Sequence, residues 1–545
     1  MKRLVLFSFA LMATMMSWAI LVAPADFCVV CKDGTSAKFP GIGTEMYFNE
    51  EGTVLYIVND GEAYGSAGEF SVSYAVDGIE AIEFAESAAY DNEYSYDGAH
   101  VDVAIDPADD TSYREVKEQV ITDKNHDDYG DYIENYSPSI QVTITYDGDK
   151  ATVSGAVSGV MAKVTGAHVV ISATKKNIAY TLEGATTNGS FKLYSEYKTL
   201  VTLDGADITN PTGAAVNIQS GKTILVKLAD GSTNKLADGA TYTMTTGEDQ
   251  KGAFFSEGQL VFSGTGSLEV KSVGGHGIVS DDYIRMRSGN ITISSVRDGI
   301  NTNDCFIMSG GMVTVDARQD GLDVGKGYIE INAGKLIVNS VDEGITASYE
   351  GDEFGIVDPL ITPYIAIKGG LIKVATTGDK GHAFRAMSTI TMSGGIVQAT
   401  TKGAGSKALM SEGDMSLTGG KVTAFTEGDA LYEDADLSSS AAIRSKGAFK
   451  VQDMTIGVKS IGAGGKGINN VGDVTLKNSR VIVVALGNTH KDNGLESRSR
   501  GITTDSNLKL DGGTLLVRSC DEPMSVVGSQ TFVSAAVYTA FEVHK

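Results

Sequence analysis

The sequence predicts an all-β chain whose main body is a single-stranded parallel β-helix. Three observations carry this reading. Glycines recur at near-constant intervals from Gly289 to Gly420. The residues around them fall into the same columns for about ten coils, from about Leu260 to Leu516. Within each coil those columns alternate apolar and polar with the period of an extended strand.

The turn glycines Gly289, Gly311 and Gly334 stand 22 and 23 residues apart, and Gly370, Gly395 and Gly420 continue at steps of 25. The longer intervals hold insertions, about Tyr349–Pro363 and about Glu433–Ser440. Each coil reads as two short alternating strands separated by a glycine turn. Ile291, Val313, Leu336, Ile372, Val397 and Val422 form one column, and Ile293, Val315, Val338, Val374, Ala399 and Ala424 form another. Alternation puts both columns on one face. A lone coil cannot bury that face, whereas stacked coils can. A leucine-rich repeat would need a Leu/Asn signature and a helix. An antiparallel sandwich would not hold the same columns coil after coil.

The chain has 545 residues, 42 % of them hydrophobic, with 65 glycines and 8 prolines, which suits a β-rich body with many tight turns. Residues 1–25 read as a signal peptide: Lys2 and Arg3, then an apolar run from Leu4 to Val22 without a charge. No basic stop-transfer cluster follows, so a transmembrane anchor is not expected and the chain reads as exported, to the cell surface, the periplasm or the medium. Residues 26–88 form a small β-rich segment with strands in Thr53–Val58 and Phe70–Tyr74. It resembles the segment that opens many secreted Bacteroidetes proteins. Residues 89–140 are acidic and Tyr-rich and read as a linker. The β-helix is expected over 141–520, with a cap or tail over 521–545.

The formal net charge is −25. Phosphate recognition needs clustered Lys and Arg, so nucleic acid is excluded as a partner. An anionic ligand would be repelled unless a cation bridged it to the surface. Cys28 and Cys31 form a CxxC whose plain reading is a local disulfide, while Cys305 and Cys520 sit in strand-like positions as core fillers.

Aligning coils on the apolar residues Ile278, Ile300, Leu322 and Ile345 exposes a polar column two residues earlier: His276, Asp298, Asp320 and Glu343, continued by His382. Neighbouring coils lie about 4.8 Å apart. Two carboxylates at that spacing repel by about 3 kcal/mol at an effective dielectric of 20. Such a stack leaves its charges in water, raises their pKa values or holds a cation. Asn301, Asn303, Asp304, Asp323 and Asp342 lie close by in sequence, with Asp281 and Asp282 one coil earlier. This all-oxygen set suits Ca2+, whereas zinc would need His or Cys ligands close together. A solvated Asp-Gly turn is the plainer alternative.

A second column, Tyr283, Phe306, Tyr328 and Tyr364, alternates with core isoleucines and is expected outside, where aromatic faces can stack on sugar rings. If the chain were a polysaccharide lyase, a base would take the proton α to a uronate carboxylate, and Arg285, Arg297 and Arg318 are the candidates. A structural or adhesive solenoid is a third possibility. Other motifs fail on inspection. Gly462-x-Gly464-x-x-Gly467 opens no helix, and Ser220-Gly221-Lys222-Thr223 lacks the first P-loop glycine. Asp123-x-Asn125-x-Asp127 with Glu134 has Asp128 where an EF-hand needs glycine, so it reads as solvated linker.

Gly247-Glu-Asp-Gln-Lys-Gly252, Phe254-Phe-Ser-Glu-Gly258, His276-Gly-Ile-Val-Ser-Asp-Asp-Tyr-Ile284, Asp298-Gly-Ile-Asn-Thr-Asn-Asp304, Glu343-Gly-Ile-Thr-Ala-Ser-Tyr-Glu-Gly351 and Gly462-Ala-Gly-Gly-Lys-Gly-Ile468 together resemble a family of secreted carbohydrate-binding proteins of the pectate-lyase-like parallel β-helix type. The similarity runs from about Gln141 to Val517. It implies a right-handed β-helix, bound calcium, and non-catalytic recognition of an acidic plant polysaccharide such as polygalacturonate. The later coils depart from the pattern, with Lys466 and Arg500 at the ladder position. Calcium is therefore expected only in the earlier coils.

Overall fold

The computed structural model describes residues 118–541 apart from 352 and 353. Before residue 118 it describes Lys2–Val5, Leu21–Val22, Phe27–Asp33, Ser36–Phe39, Thr44–Phe48, Thr53–Asn59, Phe70–Ala75 and Ile79–Phe84. Most of the signal-peptide segment and of the linker lies outside these residues. The chain divides into two compact units, residues 1–104 with 536–538, and residues 105–535 with 539–545.

In the first unit, two four-stranded sheets run in the orders Lys2–Val5, Ile79–Phe84, Phe27–Cys31, Ser36–Phe39 and Leu21–Val22, Thr44–Phe48, Val54–Asn59, Phe70–Ala75. All the pairings are antiparallel. Val29, Leu55 and Ile57 are buried. The disulfide expected between Cys28 and Cys31 is not formed, since Cys31 is free. Both cysteines belong to one extended strand, Phe27–Cys31. Positions three apart on a strand are separated by about 10 Å, beyond the roughly 7 Å that a disulfide spans.

The second unit is a parallel β-helix. Each regular coil carries three strands rather than the two read from sequence. One coil runs through His276–Ser280, Tyr283–Met286 and Asn290–Ser295, and the next through Ile300–Thr302, Cys305–Met308 and Met312–Ala317. The extra strand is only three residues long in several coils, too short to show a period. Its copies stack into a 15-stranded sheet from Val160–Thr165 to Met524–Val526.

The first coil is closed by antiparallel pairs, Lys150–Ser154 on Ile140–Asp147 and Val160–Thr165 on Ala167–Ala173. A strand so placed covers the edge that an open stack would offer to another chain.

The apolar columns stack as their spacing predicts. Ile291, Val313, Leu336, Ile372, Val397 and Val422 are in register and buried. Burying each aliphatic side chain contributes about 1.5–3 kcal/mol.

The glycine after each ladder residue has a steric cause. A Cβ on Gly299 would lie 2.1 Å from Val315 Cγ1, one on Gly321 2.0 Å from Val338 Cγ1, and one on Gly344 2.1 Å from Val374 Cγ1. At the equivalent positions opposite the smaller Ala399 and Ala424, the chain carries Ala383 and Ala408. The corner is therefore tight, and it fixes the backbone from which the ladder side chains project.

Candidate metal and saccharide site

The ladder lies at the corner leading into the 15-stranded sheet, and backbone hydrogen bonds set its register. Gly277 N donates to Asp298 O, Gly299 N to Asp320 O, Gly321 N to Glu343 O and Gly344 N to His382 O. The side chains repeat the relation. Asp320 N donates to Asp298 Oδ1 at 3.2 Å, and Glu343 N donates to Asp320 Oδ1 at 2.9 Å. At the acidic end, Asp298 Oδ2 lies 3.0 Å from His276 Nδ1. Asp298 and Asp320 are thus each held by the next coil rather than left to wave in solvent.

Asn301 and Asp323 stand beside the ladder, one residue beyond the aligned apolar position. Asn301 Nδ2 donates to Asp298 Oδ2 and to Asp323 Oδ2, both at 3.0 Å. Burial pushes the Asp323 carboxyl up to about 7, with Asp298 adding to the shift. Burial, followed by Glu343 and Asp298, raises the Asp320 pKa far above the usual carboxylate range. Burial and the adjacent Asp342 raise that of Glu343. Ligand oxygens of Asp320, Asp342 and Glu343 all lie within 4.8 Å of one another. Asp320 and Glu343 resist ionisation as they stand, and a divalent cation in the cluster would reverse that. An all-oxygen donor set fits Ca2+ or another hard cation.

The remaining predicted ligands are elsewhere. Asp281, Asp282, Asn303 and Asp304 occupy the corner at the far end of the short strand, after Ser280 and Thr302. Asp281 Oδ1 is paired with Lys251 Nζ at 2.7 Å, and Asp282 accepts from Gln259 Nε2. Asn303 Nδ2 donates to Asp281 O at 3.0 Å. Burial and then Asp304 raise the Asp282 pKa. The single shell expected from sequence is divided by the length of a strand.

The aromatic column also changes. Strand register places Tyr283, Cys305, Tyr328 and Tyr364 in line. Phe306 pairs instead with Ile284 and Ile329 and is fully buried, so it belongs to the core. The one-residue offset arises because the turn before Cys305 is one residue shorter than the alignment assumed. Tyr328 and Tyr364 stack with centroids 5.0 Å apart and an interplanar angle of 4°. Both remain half-buried.

Tyr283 is covered by the segment read as linker. Residues 118–136 pack against the β-helix through two 3-10 turns, Asp127–Asp131 and Ile133–Asn135. Tyr283 Oη donates to Asp131 Oδ1 at 2.6 Å. Arg285 is paired with Glu118, Asp128 and Asp131 at 2.6, 3.2 and 3.3 Å. Arg287 is paired with Glu118 and Glu134 at 2.9 and 3.0 Å and lies over the Tyr132 ring. The EF-hand-like stretch therefore holds a strap in place, with Glu134 serving Arg287.

These pairs hold the Arg285 guanidinium charged, which removes the sequence case for Arg285 as a base. Arg297 and Arg318 are exposed. A cleft of about 850 Å³ opens between the strap and the glycine turns, lined by Glu118, Glu134, Lys227, Arg287 and Asn290 among others. The strap had no apolar period to reveal it; its signal was the clustering of Glu118, Asp131 and Glu134 in a chain whose coils carry Arg285 and Arg287.

The second unit is thus a parallel β-helix with an ordered polar column along one corner. Residues 165–441 match a family model described as "Carbohydrate-binding domain-containing protein", and the chain belongs to that family. A carbohydrate-binding domain-containing protein of Acetivibrio thermocellus (strain ATCC 27405) is 29% identical over 160 residues, 29% of this chain and 54% of the relative. The chain thus spans about half the length of the curated relative it matches. A solved structure described as the polysaccharide lyase-like protein from C. thermocellum, gadolinium derivative, is 24% identical with a TM-score of 0.38, covering 52% of this chain and 99% of that one. Among the described residues, no helix is long and apolar enough to cross a membrane.

Proposed function

We propose that this chain is an exported carbohydrate-binding protein that recognises an acidic polysaccharide through Ca2+ held by the acidic half of the ladder. The observation that carries the reading is the convergence of Asp320, Asp342 and Glu343 within 4.8 Å, where burial and neighbouring carboxyls raise the pKa values of Asp320 and Glu343.

Asp320 and Glu343 would hold the ion, with Asp342 completing the cluster at its exposed edge. The ion supplies positive charge that a uronate carboxylate can share. The protein's own part is to fix those oxygens: Asp320 by the Glu343 N–H, Asp298 by the Asp320 N–H. A surface of net charge −25 would otherwise repel such a polymer. Tyr328 and Tyr364 offer a stacked edge on another face of the coil.

The test is isothermal titration of polygalacturonate into the full chain, in calcium and in EDTA. The reading expects affinity to fall at least tenfold in EDTA. Equal affinity in the two buffers would defeat it.

A further inference from the structure

The ladder does not end with its acids. Strand register continues it from Glu343 through His382, Lys407, Ala441 and Lys466 to Arg500. The adjoining outward column changes in the same way, from Asn301 and Asp323 to Arg385 and, two coils later, Arg444. One face therefore carries anions in its early coils and cations in its late coils. Arg385 Nη1, 3.5 Å from Glu343 Oε1, marks the change of sign.

The cations are withdrawn from water. Lys407 is 7% exposed, and Arg444 and Lys466 are half-buried. Among the described residues none of these three has an ion pair to a carboxylate. Lys407 Nζ donates only to Gly405 O at 2.7 Å and Ser438 Oγ at 2.8 Å. Lys466 Nζ donates to Ser497 Oγ at 3.1 Å, and Arg444 Nη1 to Asn469 O at 3.4 Å. Arg500 Nε is buried without any hydrogen-bond partner.

Burying an unpaired charge costs several kcal/mol, and this chain has carboxylates in excess, 69 Asp and Glu against 44 Lys and Arg. Counter-ions were available in composition, yet among the described residues of this face they reach Arg385 and Arg500 alone, through Glu343 at 3.5 Å and Glu522 at 3.4 Å. Burial and neighbouring cations push Lys407 and Lys466 down to about 8, which still leaves them charged at neutral pH.

Two inserted hairpins frame the lysines. One pairs Leu431–Glu433 with Asp436–Ser438, and the other pairs His490–Asp492 with Leu495–Ser497. Each gives the last residue of its second strand, Ser438 or Ser497, to a ladder lysine. A neutral hydroxyl orients an ammonium without cancelling its charge. Lys407 and Lys466 are two coils apart, as are Arg385 and Arg444, a separation of about 10 Å. That spacing offers successive cations to successive charges of a linear polyanion.

We propose that Arg385, Lys407, Arg444 and Lys466 form a second, metal-independent site that binds the carboxylate or sulfate groups of an anionic saccharide. It goes beyond the calcium reading and stands without it, because none of its four residues is a candidate calcium ligand.

The test uses the full chain in EDTA with three probes: an oligogalacturonate, a sulfated oligosaccharide of equal length and a neutral one. Calorimetric affinity and ligand-induced Tm are read for wild type, Lys466→Gln, Arg444→Gln and Lys163→Gln. At least one anionic probe is expected to bind wild type and raise its Tm, and the neutral probe to do neither. Carboxylate and sulfate sources are told apart by which probe binds. Binding should fall tenfold or more in Lys466→Gln and in Arg444→Gln, as expected for a lost charge-assisted contact, and stay unchanged in Lys163→Gln, which removes an exposed lysine of the first coil. The proposal is overturned if neither anionic probe binds wild type in EDTA, or if binding is unaffected by both cation substitutions. Should a variant fail to fold, the wild-type Tm response decides. Failure of the calcium reading shows separately, as equal affinity with and without calcium.

Discussion

Glu343 N donates to Asp320 Oδ1 at 2.9 Å, one coil to the next. The bond holds a buried carboxylate beside two others, and each of its neighbours makes ionisation harder. Asp320→Asn keeps the acceptor oxygen and removes the ionisable carboxyl, whose protonation the folded chain must otherwise force. Metal-free Asp320→Asn should therefore match or exceed wild type in Tm, by up to about 3 kcal/mol of stability, and should lose most of the Tm gain that wild type shows in calcium. Thermal melts in EDTA and in calcium check both halves.

Gly321 and Val338 cannot both enlarge. Gly321→Ala places a methyl 2.0 Å from Val338 Cγ1 and should cost about 1–3 kcal/mol. Val338→Ala removes the clash. In a denaturation cycle the double variant should be more stable than the sum of the singles implies, by about 0.5 kcal/mol or more. Strict additivity would contradict the steric account of the Asp-Gly corner.

Arg285 holds the strap. Replacing it with Met leaves Asp131 buried without its cation and Glu118 with Arg287 alone, and breaking a buried pair in this way costs about 3–5 kcal/mol. Arg285→Met should lower Tm and expose residues 118–136 to limited proteolysis. An unchanged cleavage pattern would show that the strap is held by Tyr283 and the apolar contacts of Ile133 and Tyr136.

Lys407 faces Arg444, Lys380 and Lys466, with Asp436 as the opposing charge. Its folded pKa, about 8, lies below the ordinary 10.5. Between those values the unfolded chain holds a proton that the folded chain has released, so the lysine's penalty shrinks as pH rises. Wild type minus Lys407→Met should show stability rising from pH 8 to pH 10. At pH 7 the Met variant should be the more stable. A difference curve flat with pH would mean that Lys407 is not desolvated.

The apolar columns were legible because period-two burial leaves a mark on every coil; Ile291 to Val422 needed only alignment. The ladder was legible for the same reason, since Asp298, Asp320 and Glu343 recur against a fixed apolar neighbour. What escaped had no period. The strand Ile300–Thr302 is three residues long. The strap is joined to Arg285 and Arg287 across more than 150 residues of chain. Phe306 was misplaced by one residue, and on a strand one residue exchanges inside for outside. Lys407 was passed over because the alignment followed Asp-Gly-Ile, while its coil reads Lys-Ala-Leu.

The proposed function depends on a divalent cation held by the acidic ladder. Calcium titrated calorimetrically into the metal-free full chain tests it most directly, with Asp320→Asn and Glu343→Gln alongside. Saturable binding to wild type is expected, weakened at least tenfold in each variant. Calcium binding of equal strength in all three proteins, or none in wild type, would contradict it.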